Sequence, residues 1–153
     1  MNDKIRVLLS EEEVAKRIKE MGDVISSDYE GRPLHLICIL KGGVFFTCEL
    51  AKRISLPLTL DFMSVSSYGA GTVSSGIVKI VKDLDEPIEG KDVLIVEDII
   101  DSGNTLSYLI EVLKQRNPRS IELCTLLDKP ERRVKKQVTV KYTCFTVPDQ
   151  FIV

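Results

Sequence analysis

One segment, VLIVEDIIDSGNT at 93–105, constrains the fold of this chain more than any other. Val93, Leu94, Ile95 and Val96 run without polar alternation, the pattern of a strand covered on both faces. Glu97 and Asp98 then deliver two adjacent carboxylates, and Asp101-Ser102-Gly103-Asn104 is a turn of small hydrogen-bonding residues. Beyond it Leu106, Leu109, Ile110 and Leu113 recur at helical spacing. The spacing predicts a helix from Thr105 to about Arg116, ended by Asn117-Pro118. A doubly covered strand feeding a helix is the unit of an α/β fold with a mostly parallel, twisted sheet flanked by helices.

The rest of the chain supplies further units of the same kind. Ser10-Glu11-Glu12-Glu13 is a capping box, followed by Val14, Ile18 and Met21 at helical spacing, with Gly22 as the expected stop. The run 34–40, seven residues including His35, is a second doubly covered strand, broken by Lys41-Gly42-Gly43. A helix is expected over 44–54. A strand follows over 58–65, with Leu58, Leu60 and Phe62 as its apolar face until Met63. Residues 66–76 are too polar and glycine-rich to pack and are expected to form a flexible loop over a binding site. Strands are expected over 77–82 and 121–127, and the alternation over 138–145 suits a strand nearer an edge. The four cysteines, Cys38, Cys48, Cys124 and Cys144, have apolar or β-branched neighbours and no C-x-x-C pairing, and are expected as reduced core residues. At 153 residues, with neither internal repeat nor linker, the chain reads as one domain over 1–153.

Ligands of such sheets bind beyond the carboxyl ends of the strands. That directs attention to Lys41, to 97–105 and to Asp128-Lys129. The turn before the helix at Thr105 is suited to an anion, because unpaired backbone N–H groups and the positive end of the helix dipole point outward. Ser102 and Thr105 add hydroxyls, and Gly103 permits close approach. Glu97 and Asp98 would repel that same anion, but a carboxylate accepts hydrogens from a vicinal diol. A phosphate and a diol a few ångströms apart describe a ribose 5-phosphate.

In this segment the order hydrophobic strand, Glu-Asp, two apolar residues, Asp-Ser-Gly-x-Thr resembles the phosphoribosyl diphosphate (PRPP) motif of type I phosphoribosyltransferases. Leu40-Lys41-Gly42-Gly43 resembles the diphosphate loop of the hypoxanthine-guanine members of that family. Ser67-Tyr68 resembles the Ser-Tyr of their active-site lid. The resemblance runs from Ile5 to Val153. It implies ribose and Mg2+ contacts at Glu97 and Asp98, and 5′-phosphate contacts across Asp101, Ser102, Gly103, Asn104 and Thr105. Diphosphate contacts are implied at Lys41, Gly42, Gly43, Ser67, Tyr68 and Arg133. Lys129 is implied at the purine's exocyclic oxygen, with Phe151 stacked on the base and the backbone of Ile152 reading its edge. Family members continue past that aromatic through a Gly-Tyr segment to an aspartate, so the family's C-terminal segment is expected to be absent here.

The implied reaction is transfer of 5-phosphoribosyl from PRPP to N9 of hypoxanthine or guanine, giving IMP or GMP plus diphosphate, with Asp101 as general base. A homo-oligomer, dimer or tetramer, is expected. Among relatives of this fold an RNA-binding regulator would need a basic face. Net charge here is −2, and the one dense basic run is Arg132 to Lys136, so no nucleic-acid partner is expected. No apolar run nears the roughly 18 residues of a membrane span, and the N-terminus has no signal-peptide pattern. A cytoplasmic protein without a membrane partner is expected.

Overall fold

The structure, a computed structural model, describes residues 9–67, 78–133 and 138–148. Six strands form one sheet in the order β3-β2-β1-β4-β5-β6. They are β1 Leu34–Leu40, β2 Leu58–Ser67, β3 Val78–Lys82, β4 Asp92–Ile100, β5 Ser120–Asp128 and β6 Tyr142–Thr146. All pairings are parallel except β2 with β3. Helices α1 Glu11–Asp28 and α2 Val44–Ala51 cover one face, and α3 Asn104–Lys114 covers the other. β1 and β4 show why their sequences do not alternate. Leu36, Leu94 and Val96 pack toward α1 and α2, while Ile37, Val93 and Ile95 pack toward α3. The 138–145 alternation belongs to the edge strand β6, as its pattern suggested, but pairing begins only at Tyr142. Val138 is buried instead by packing on the α3 side.

Several expectations are corrected. The capping box forms as read, with the Glu13 N–H on Ser10 Oγ and the Ser10 N–H on Glu13 Oε1, both at 3.0 Å. Gly22, however, does not stop α1. A Cβ there would lie 2.5 Å from Arg53 Cβ and 2.6 Å from the Arg53 carbonyl oxygen, so glycine lets α1 pass against the segment after α2. α2 ends at Ala51 because Arg53 and Ile54 donate to Leu50 and Ala51, tightening the last turn, although Ile54 stays buried. On β2 the buried positions are Asp61 and Met63, and Leu60 is 43% exposed. The helices of that face rest over β1, β4 and β6 and leave the β2 end open. Asp61 is accommodated because its carboxylate accepts the N–H groups of Phe62, Asp85 and Glu86. Ser66 and Ser67 pair with Lys79 and Val78, so the expected loop at 66–76 starts later; 68–77 lie outside the described residues. Cys38, Cys124 and Cys144 are buried as expected, but Cys48 lies exposed on α2.

Candidate active site

The carboxyl ends of β1, β4 and β5 lie side by side and present three loops together. The middle loop is built by a left-handed residue. Gly103 has φ 83° and ψ 0°, a conformation costly for a residue with a Cβ, and from it α3 begins at Asn104. Ser102 Oγ accepts the Asn104 N–H at 3.3 Å, and the Gly103 carbonyl accepts the Ser107 N–H at 2.8 Å. No side chain caps α3 at Gly103, and no acid occupies its first turn, so the helix end faces outward as a partial positive charge. A cleft of about 140 Å³ opens there, lined by Glu97, Asp101, Ser102, Gly103 and Thr105. The Oδ1 of Asn104 is buried without a partner.

Strand alternation separates the two adjacent acids. Glu97 lines this cleft, whereas Asp98 lines a depression on the α1/α2 side with Gly42 and Phe46. Burial pushes the Glu97 carboxyl up to about 7, and the neighbouring Asp98 charge adds to the shift. Burial also raises Asp98 above the usual aspartate range. Such shifts mark carboxylates held where their charge is poorly solvated, as at ligand sites.

The loop after β1 meets β4 at this point. The Leu40–Lys41 peptide is cis. A Cβ on Gly43 would approach Ile39 O to 3.0 Å and Val96 O to 3.2 Å, so glycine eases the close approach of the loop to the strand just before Glu97. Lys41 and Gly42 are exposed.

The loop after β5 closes the other side. The Lys129 N–H donates to Ile100 O at 3.0 Å, and Lys129 Nζ lies 3.9 Å from Asp101 Oδ1. Arg133, just past the short helix Pro130–Arg132, donates from Nε to Asp101 O at 3.1 Å and from Nη2 to Asp128 Oδ1. The structure thus brings Lys41, Gly42, Gly43, Glu97, Asp98, the 101–105 turn, Lys129 and Arg133 to one edge. Tyr68, Phe151, Ile152 and the side chain of Ser67 lie outside the described residues. Sequence reading gave Asp128 no role beyond its place after a strand. Its one signal is an acid at the strand end five residues before an arginine.

Comparison with known proteins gives a consistent picture. A family model for the phosphoribosyl transferase domain matches residues 7–153. A Bacillus subtilis hypoxanthine-guanine phosphoribosyltransferase is 51% identical over 148 residues, which is 97% of this chain and 82% of that protein. The bifunctional protein TilS/HprT of Listeria monocytogenes is 50% identical over 99% of this chain, which spans only 23% of that protein. The crystal structure of a Staphylococcus aureus hypoxanthine phosphoribosyltransferase superposes with a TM-score of 0.93 at 48% identity, covering 98% of this chain and 81% of that one.

Proposed function

The chain belongs to the phosphoribosyltransferase family, and on that premise we propose that it transfers the 5-phosphoribosyl group of PRPP to N9 of hypoxanthine or guanine, releasing diphosphate. The observation that carries this reading is the turn opening α3, left-handed at Gly103 and with no acid in the first turn, directly after a strand that bears Glu97 and Asp98. An anion seat directly following diol acceptors at a strand end suits a ribose 5-phosphate.

In this reading the Ser102 and Thr105 hydroxyls and the amides of the 101–105 turn hold the 5′-phosphate. Glu97 and Asp98 leave β4 on opposite faces and orient the ribose between the phosphate turn and the Lys41-Gly42-Gly43 loop, which receives the diphosphate. Their negative charge favours the oxocarbenium character that develops at ribose C1. Asp101, half-exposed beside Lys129, takes the N7 proton of the purine. Lys129 donates to the exocyclic oxygen of a 6-oxopurine; adenine presents a donor there and leaves both groups unpaired. Ser67-Tyr68, Phe151 and Ile152 complete the diphosphate and base contacts.

The donor set fits Mg2+. Glu97 and Asp98 are hard oxygen ligands of the kind Mg2+ takes alongside substrate oxygens. When bound, the ion neutralises the diphosphate leaving group. A homo-oligomer is supported by Phe45, 84% exposed beside an apolar depression lined by Val14, Ile18, Phe46 and Leu126. No helix among the described residues is long and apolar enough to cross a membrane; a cytoplasmic location is the reading this supports.

The test is diphosphate release from PRPP and Mg2+ with hypoxanthine, guanine, xanthine, adenine and uracil offered separately. Turnover is expected with hypoxanthine or guanine and not with adenine or uracil. Turnover confined to xanthine or uracil would refute the base assignment, and PRPP binding without any turnover would move the reading to a ligand-sensing protein.

A further inference from the structure

The guanidinium of Arg133 already has its partners before any ligand arrives. Nε donates to the carbonyl of Asp101 at 3.1 Å, and Nη2 donates to the Asp128 carboxylate. The side chains of Arg133 and Asp128 are each only 13% exposed, so the pair is sheltered from water and its hydrogen bonds are strengthened accordingly. The arginine stem also lies on the left-handed glycine. A Cβ at Gly103 would stand 3.1 Å from Arg133 Cδ and 3.6 Å from its Nε. Gly103 is therefore favoured by its φ of 83°, and the arginine stem packed over it leaves little room for a Cβ. With the Lys129 N–H on Ile100 O, two ties bind the end of β4 and its turn to the segment after β5, and the Asp128 contact anchors Arg133 to the β5 end.

We propose that Arg133 is a positioning residue: it clamps the turn at 101–103 to the β5 end, fixing where the 5′-phosphate seat lies relative to Lys129. This rests on the phosphoribosyl-transfer reading of the same site. The Asp101 carbonyl shares its peptide plane with the Ser102 N–H and precedes the Gly103 N–H, amides that the transferase reading assigns to the 5′-phosphate. Holding that oxygen sets the direction of those amides. Only a guanidinium does this, because its planar fork reaches a carbonyl through Nε and a carboxylate through Nη2 at once, whereas an ammonium is a point donor on a flexible stem. Asp128 is the second half of the clamp, since it fixes the plane of the fork. These two ties use two of the five guanidinium N–H donors.

Two ligands separate the possibilities. GMP carries the 5′-phosphate and no diphosphate; Mg2+-diphosphate carries no 5′-phosphate. By titration calorimetry on the full chain, Arg133→Gln is expected to weaken GMP about tenfold and to leave Mg2+-diphosphate within about twofold, the size of effect typical of coupled polar networks. Asp128→Asn is expected to weaken GMP severalfold, and the double variant to lose little more than Arg133→Gln alone. Arg133→Lys keeps the charge and the fold but not the fork, and is expected to stay weak. Loss confined to Mg2+-diphosphate, or full rescue by Arg133→Lys, overturns the clamp. Hydrogen exchange on the ligand-free protein reads the clamp independently: amides of 101–107 should exchange faster in Arg133→Gln, and unchanged rates overturn it. If the wild-type chain binds neither GMP nor Mg2+-diphosphate, the transferase reading falls, and the exchange experiment still decides the role of Arg133.

Discussion

The two ends of the same parallel strands are built on opposite principles. At the amino ends, His35 Nδ1 meets Thr59 Oγ1 at 2.6 Å, Ser120 Oγ donates to Asp92 Oδ1 at 2.6 Å, and Arg32 lies 3.4 Å from the same Asp92 oxygen. Asp92 is 4% exposed, and its carboxylate is met by both Ser120 and Arg32, although His35 Nε2 is buried there without a hydrogen-bond partner. At the carboxyl ends three acids, Glu97, Asp98 and Asp101, crowd one edge. Lys129 Nζ stands 3.9 Å from Asp101 Oδ1, and burial is the leading cause that drives Glu97 and Asp98 upward. The sheet, the register and the apolar core are common to both ends. The difference therefore lies in how the carboxylates are met, and poorly solvated carboxylates gathered at one edge of a well-packed fold mark where a ligand belongs.

Mutation at each end should give effects that do not cross over. The largest belongs to Asp101→Asn, which keeps the shape of the turn but removes the proton acceptor. It should lower kcat at least about 10²-fold, within the usual range of general base catalysis, with PRPP affinity largely retained. Unchanged turnover would sink the assignment. At the far end, Asp92→Ala strips Ser120 and Arg32 of their acceptor. It should cost about 2 kcal/mol of unfolding free energy in urea while kcat holds. A stable Asp92→Ala protein with damaged turnover would erase the distinction between the two ends.

Much of this contrast is legible in the sequence, but unevenly. The 93–105 segment declares its strand, turn and helix because local propensity, burial pattern and turn chemistry agree there. The anion seat and the Glu-Asp pair are visible for the same reason. Gly22 misleads because a glycine inside a helix carries one of two messages, a cap or a close approach, and only the position of Arg53 decides between them. Leu60 misleads because strand alternation names two faces without saying how far the covering helices extend. The Arg133–Asp128 clamp is invisible because its other partner, the Asp101 carbonyl, is backbone brought close by parallel pairing of β4 and β5. Separation of Glu97 from Asp98 follows from pleating alone and could have been read in advance.

Acidity is the finest probe of the comparison, since the two ends should respond to it with opposite sign. Glu97 has a folded-state pKa near 7, raised from 4.5. Between those values the folded protein binds more protons than the unfolded chain, so this residue makes stability rise as pH falls. Glu97→Gln should therefore stabilise the ligand-free protein at pH 8, by roughly 1–2 kcal/mol after allowing for solvent in the cleft, and by almost nothing near pH 5. His35 works the other way. Burial holds its imidazole below the usual 6.5; Lys91 pushes in the same direction, and Asp61 and Glu86 pull against it. Below pH 6.5 the unfolded chain takes up the proton first, so His35 makes stability fall as pH falls, by at most about 1.4 kcal/mol per pH unit. It is the chain's one histidine, so no second imidazole blurs the reading. Urea unfolding of wild type, Glu97→Gln and His35→Gln between pH 5 and 8 should show the two variants departing from wild type with slopes of opposite sign. Parallel curves for all three would mean that neither end carries an unmet proton equilibrium, and that the carboxyl-end acids are as well satisfied as Asp92.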